Sequence, residues 1–320
     1  MGFLLKFVIL AVLVARDVRC LSFVSSLPKP ARQTLTSLSS IYSTPSIYDA
    51  SFSLRSYPDE SLFLHTVREI YGGKPVVGRP KYLDCGCGPN RHLESLSDIA
   101  DGTGLDKNPS VVEYANRVND FAKCQVGDAE DFGGRWDAVW FLLNGLGHCD
   151  LSKFSRCCGR GLKEGGVVIV EGWSSRAIEA LKGADYAGAG FGKWDVYLEK
   201  DDYVDIARTD VLVDGARCAE DGVKLDVEYA VVKGFDEESR TVGVKLSVLV
   251  TSGTFAKTLA SSYVLNVYEE GDIDEAMSSN GLERVWDAGN GDGGFDNLEG
   301  EPEEEGGRFV YIYRKEEKKS

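Results

Sequence analysis

The sequence predicts an α/β fold with a doubly wound parallel sheet, and three observations predict it. Short apolar strands alternate with amphipathic helical stretches from Pro58 to Glu171, the pattern of parallel strands joined by crossover helices. The first strand, Lys81 to Cys85, runs straight into the glycine-rich turn Gly86-Cys87-Gly88 and then a helix. Val167-Val168-Ile169-Val170 is a continuous apolar run, as a strand covered on both faces requires.

The elements follow in order. Pro58 to Tyr71 reads as a helix, with Asp59 and Glu60 in its first turn, Leu62, Val67 and Ile70 on its apolar face, and Gly72-Gly73 ending it. Leu93 to Ala100 is the next helix, and Gly104-Leu105-Asp106 ends the second strand. Pro109 to Phe121 is a helix with Val112, Ala115 and Val118 on one side. Lys123 to Val126 and Trp136 to Leu143 are the third and fourth strands, the latter closed by the turn signal Asn144-Gly145. Leu151 to Leu162 is a helix stopped by Gly165-Gly166.

Beyond Glu171 the period changes to two. Val204 to Val213, Val223 to Val232, Thr241 to Thr251 and Thr258 to Tyr268 alternate apolar and polar residues, which predicts an antiparallel β insert over about 203–268, before the C-terminal strands. Ile273 to Asn280 returns to helix and Leu282 to Ala288 to strand. Residues 289–307 form an acidic, glycine-rich loop. Arg308 to Tyr313 is the last strand.

The N-terminus differs from the rest. Phe3 to Ala15 is apolar except for Lys6, the length of a signal h-region and too short for a comfortable membrane span. Residues 1–20 therefore read as a signal-like targeting segment, 21–46 as a transit-like or disordered linker, and 47–320 as the folded domain. A signal followed by a transit-like stretch predicts a plastid destination through a bipartite leader; secretion or the endomembrane lumen is the alternative. Cys85-x-Cys87 and Cys157-Cys158 are spaced neither as a secreted disulfide framework nor as zinc knuckles, which favours the reducing compartment. No stable membrane insertion is expected once the leader is removed. The net charge of -15 repels phosphate backbones, so no nucleic-acid partner is expected.

The chemistry concentrates at Tyr82-Leu83-Asp84-Cys85-Gly86-Cys87-Gly88-Pro89-Asn90-Arg91-His92-Leu93. Glycines let the backbone pass close to a bulky ligand, and the helix start offers free N–H groups. Asp84 precedes the first glycine by two residues. Asp106, at the end of the next strand, is placed to accept both hydroxyls of a ribose.

These residues resemble the class I S-adenosylmethionine-dependent methyltransferases. Asp84-Cys85-Gly86-Cys87-Gly88, Gly104-Leu105-Asp106 with Pro109 following, and Gly127-Asp128-Ala129-Glu130-Asp131-Phe132 stand in that family's order and spacing. The resemblance implies a Rossmann-like sheet and S-adenosylmethionine as cofactor. Asp84, Gly86 and Gly88 then lie by its methionine portion, Asp106 at its ribose, and Asp128 and Ala129 beside its adenine. Tyr48 matches an N-terminal tyrosine that closes over the cofactor. Asn90 replaces the family's third glycine, and Asn tolerates a left-handed backbone. A nicotinamide oxidoreductase calls for that glycine and is the weaker reading.

A narrower resemblance is to N-methyltransferases that dimethylate nucleotide-linked amino sugars. It rests on Ile47-Tyr48-Asp49, Asn144-Gly145-Leu146-Gly147-His148, the stretch from Gly165 to Trp173, Val227-Glu228-Tyr229-Ala230-Val231-Val232, and Gly307-Arg308-Phe309-Val310. It implies a small-molecule methyl acceptor, an amine, with His148 as general base. It also implies an insert that covers the site or makes a homodimer. The competing reading of His148 is a half-buried residue at the next helix start. His92 reads as a helix-start residue and His65 as structural. Glu171 and Trp173 either line the acceptor pocket or pack. An O- or carboxyl-methyltransferase and a catalytically inactive scaffold of the same fold are the alternatives.

Overall fold

A computed structural model describes residues 40–73, 77–120, 123–198, 222–252, 255–286 and 308–317. The expected leader 1–20, most of the linker, the strand at 204–213 and the loop 289–307 lie outside the described residues.

A seven-stranded sheet forms the centre. Its strands are β1 Lys81–Cys85, β2 Asp101–Asp106, β3 Lys123–Val126, β4 Trp136–Phe141, β5 Leu162–Trp173, β10 Leu282–Trp286 and β11 Arg308–Lys315. Their order is β10-β11-β5-β4-β1-β2-β3. Strands β1 to β5 pair parallel, and β11 runs antiparallel to both β5 and β10. The chain winds outward from β1 through β2 to β3, then returns to β4 on the other side. The order thus reverses between β1 and β4, where ligands of such sheets bind at the carboxyl ends of the strands.

Both faces of the sheet are covered, and β5 shows why its run is apolar throughout. Val168 and Val170 point to a core with Phe154, Ile273 and Met277, while Val167 and Ile169 point to another with Leu64, Val67 and Leu93. The first core is closed by helices α5 Leu151–Gly161 and α7 Glu270–Ser278, the second by α2 Tyr57–Tyr71 and α3 Arg91–Ser95. Trp140 is fully buried beside Tyr82. Helix α4 Pro109–Val118 starts on Asn108, whose side chain accepts from the Ser110 amide at 3.0 Å.

Helix α3 is shorter than the stretch 93–100 that the apolar spacing predicts. Its continuation is a series of tight turns. The Arg79 guanidinium donates to the carbonyls of Ser97, Asp98 and Ala100 and so satisfies groups a longer helix would have bonded internally. Helix α6 Ser175–Lys182, with Ser174 as N-cap, is an addition to the predicted elements.

The second sheet is antiparallel, in the order β6-β7-β8-β9, with β6 Gly192–Leu198, β7 Val223–Asp236, β8 Thr241–Ser252 and β9 Phe255–Asn266. The insert therefore begins at Gly192, not near 203 as its alternation suggests. One face is buried. Val196, Val227 and Val248 of that face meet Ile41, Ile47 and Ala50 of the first described segment. Toward the strands' other end, Val244 and Leu265 pack with Ile178 and Leu181 of α6. Helix α1 Pro45–Ser51 and the turn before it thus belong to the same fold, which extends beyond the predicted start at 47.

All six described cysteines are buried thiols. Among the described residues, no helix is long and apolar enough to cross a membrane.

Candidate active site

The cleft forms where β1 ends. Its loop is shaped by two glycines in the left-handed region, Gly86 at φ 65° and Gly88 at φ 51°. A Cβ on Gly86 would stand 2.7 Å from the Phe141 ring, so any larger residue there is both strained and obstructed. The amides of Gly86 and Cys87 donate to the Leu105 carbonyl at 2.7 and 3.1 Å, which ties the loop to β2. Asn90 is left-handed, at φ 65°, as the sequence reading anticipates. The turn then delivers the chain into α3.

Two carboxylates serve the loop. Asp84 is almost fully buried, and its Oδ2 has no hydrogen-bond partner. Burial pushes its carboxyl up to about 6, against the opposing pull of His92. Asp106 accepts from the Gly88 amide at 3.2 Å and from the Asn108 amide at 2.9 Å. Its carboxyl is also raised by burial, with these backbone bonds opposing.

A cover comes from α1. Asp49 takes two bonds from Arg91, at 2.6 and 3.1 Å, and one from the Tyr114 hydroxyl at 2.8 Å. This fixes α1 to both α3 and α4 and sets Tyr48 over the loop. The Tyr48 ring edge lies 3.6 Å from where a Gly88 Cβ would be. Tyr48, Asp84, Gly86 and Gly88 line one cleft together with Tyr57 and Leu143. Asp106 joins it through the Gly88 amide.

The remaining expected residues lie around this cleft. Asp128 is exposed on the turn after β3, its side chain accepting from the Glu130 amide at 2.9 Å. Ala129 is half-buried against the core. His148 ends the 3₁₀ turn Gly145–His148 and does not line the cleft. A chain of rings links it there: His148 to Tyr263 at 4.9 Å, Tyr263 to Tyr42 at 6.0 Å, and Tyr42 to Tyr48 at 5.4 Å between centroids. Although part of its ring is exposed, the surrounding protein and then Lys107 push its pKa down to about 4. Glu171 is buried and accepts from the Leu143 amide at 2.9 Å, holding the left-handed corner Leu143-Asn144. Trp173 packs against the Phe191 ring at 5.7 Å.

Residues 83–170 match a family described as a methyltransferase domain. This stretch is a class I methyltransferase domain. A curated relative, the dTDP-4-amino-2,3,4,6-tetradeoxy-D-glucose N,N-dimethyltransferase of Saccharopolyspora spinosa, is 29% identical over 149 residues. That match spans 44% of this chain and 59% of the relative's length. Two solved structures share the fold. One is an amino pentose methyltransferase of Micromonospora echinaspora with S-adenosylmethionine bound (TM-score 0.58, 17% identity, 89% of this chain and 100% of that one). The other is a sugar N-methyltransferase of a Streptoalloteichus species (TM-score 0.59, 16% identity, 92% of this chain and 100% of that one).

The cleft also draws on residues to which the sequence reading gives no site role. Arg55, Tyr57, Glu60 and His92 gather beside Asp84, and Asp49 and Arg91 lock the cover. The signals available were an acidic residue in a first helical turn and a histidine one turn past a glycine loop. Neither says which partner it meets.

The site fits S-adenosylmethionine. Asp84 suits a cation such as the methionine ammonium, because its buried Oδ2 makes no hydrogen bond among the described residues and stands 3.8 Å from His92 Nδ1; Asp106 offers acceptors for ribose hydroxyls, and the two glycines leave room for backbone approach.

Proposed function

We propose that this protein methylates the nitrogen of a small amine, an amino sugar being the leading candidate, using S-adenosylmethionine. The observation that carries the reading is the placement of Tyr48. It roofs the cofactor loop and begins the line of rings that runs under the insert sheet to His148. An acceptor entering from the insert side meets aromatic faces and one neutral imidazole.

Bound S-adenosylmethionine supplies an electrophilic methyl group on a sulfonium. The protein's part is to hold and align. Asp84 takes the ammonium, Asp106 the ribose, and Asp128 and Ala129 flank the adenine. Tyr48 excludes water above the loop. Orientation of this kind accounts for most of the acceleration in an in-line displacement. His148 is neutral above pH 4 and accepts a hydrogen bond or a proton from the acceptor nitrogen. Its low basicity makes alignment its larger contribution, with the amine arriving deprotonated. The insert sheet further provides the surface for a homodimer.

Calorimetric titration with S-adenosylmethionine, with NAD as control, followed by a screen of amines including dTDP-4-amino sugars, tests the reading. Selective binding with methyl transfer to nitrogen supports it. Transfer to oxygen only moves the assignment to an O- or carboxyl-methyltransferase. Binding with no turnover on any acceptor class favours the inactive scaffold.

A further inference from the structure

Beside Asp84, at the wall of the cleft, lies a chain of ionisable groups on which the cleft's other residues depend. His92, on α3, is almost fully buried. Its Nε2 is 2.8 Å from Oε2 of Glu60 on α2, and its Nδ1 is 3.8 Å from Oδ2 of Asp84 on β1. Oε1 of Glu60 pairs with Arg55 at 2.9 Å. The Tyr57 ring meets the imidazole edge-on at 5.1 Å, and the Ser61 hydroxyl donates to the His92 carbonyl at 2.9 Å. The imidazole is thus held from three sides.

Both of its nitrogens face carboxylate oxygens. Both nitrogens of an imidazolium are donors, while a neutral tautomer leaves one of them an acceptor. Glu60 is held below the usual carboxylate range, because the bonds and charges of His92 and Arg55 outweigh its burial. Asp84 has the opposite balance: burial dominates, His92 opposes it, and Asp106 on β2 adds to it.

We propose that His92 is a positioning residue for the cofactor: locked by Glu60 and Arg55, it faces Asp84 with its Nδ1, opposes the burial that would neutralise that side chain, and so helps keep it a carboxylate for the methionine ammonium. The proposal rests on the cofactor reading above. It makes α2 part of the cofactor site although only Tyr57 of that helix lines the cleft. It also makes cofactor binding depend on pH with a fixed sign. Protonating Asp84 removes the charge that faces the ammonium, so affinity falls as pH drops through about 6. Removing the facing imidazole, whose pull on Asp84 is downward, makes the carboxyl easier to protonate, so the midpoint rises.

The test is calorimetric titration of the full chain with S-adenosylmethionine between about pH 5 and 7.5, below the usual α-amino range. His92→Gln should move the midpoint of affinity upward by roughly one pH unit, weakening binding about twofold near neutrality and close to tenfold near pH 5. Glu60→Gln should shift it the same way by less, and Asp84→Asn should flatten the profile. Thermal melts identify any variant that fails to fold; Glu60→Gln then carries the test alone. Folded variants that weaken binding equally at every pH, or keep the wild-type midpoint, overturn the proposal. Absence of binding by the wild-type chain instead overturns the cofactor reading.

Discussion

The two sheets build their parts of the site by different routes. In the seven-stranded sheet, residues 84–92 form the cofactor loop in one short stretch, and its geometry follows from local backbone needs. Under the four-stranded insert sheet, the ring line draws on Tyr42, Tyr48, His148 and Tyr263, which lie far apart in the chain. A contiguous loop can be altered only at a few positions without losing its turn. A surface assembled from separate segments can change one ring at a time. On the proposed reading, most of cofactor recognition sits on the constrained part of the molecule, and acceptor choice on the adaptable part.

That division can be broken, and the largest effect should come from the central core. Phe154 is fully buried beneath the sheet, and Phe154→Ala should cost about 3–5 kcal/mol in denaturant unfolding. A loss below about 1 kcal/mol would mean that the sheet repacks freely. Next, Asp106→Ala should weaken S-adenosylmethionine binding by about 3 kcal/mol, roughly a hundredfold in Kd, with a smaller loss of stability from the two freed amides of Gly88 and Asn108.

In the insert, Leu259→Ala removes a fully buried side chain and should cost about 2 kcal/mol. The low end of the usual range fits a sheet whose outer face leaves Val232 and Val264 exposed. Cofactor affinity should stay within about twofold of wild type. A larger change would show that the two halves are energetically coupled.

His148→Gln should reduce amine turnover about tenfold and leave cofactor binding alone. The surrounding protein and then Lys107 lower the His148 pKa to about 4 although the side chain is exposed, so turnover should show no step from this ring between about pH 5 and 8. A turnover step near pH 6.5 that vanishes in this variant would show that His148 titrates as an ordinary imidazole instead. The smallest effect belongs to the surface. Lys193 and Glu228 form a 2.7 Å pair that is largely exposed, and Lys193→Ala should shift stability by no more than about 0.5 kcal/mol.

Legibility in the sequence followed the range of the interactions. The parallel strands, the antiparallel alternation of β7 to β9, the two left-handed glycines and the left-handed Asn90 all answer to neighbours a few residues away. Helix α6 and strand β6 offer only short apolar patterns, Ile178 with Leu181 and Val196 with Leu198, set near glycines and alanines. The stop of α3 was not legible, since it depends on Arg79 reaching carbonyls that a helix pattern leaves unmarked.

What the sequence by itself determined is the sheet, the glycine loop and the acidic residue at the end of each of its first two strands. Periodicity and tight-turn geometry are local, and a reader of the chain has all the information they use. What only the tertiary structure decided is the company those residues keep. Asp49 meets Arg91 and Tyr114, Glu60 meets His92, and the imidazole meets Asp84. Each of these contacts joins separate elements. A buried charge takes its character from the groups packed against it, and folding brings those groups from elsewhere in the chain.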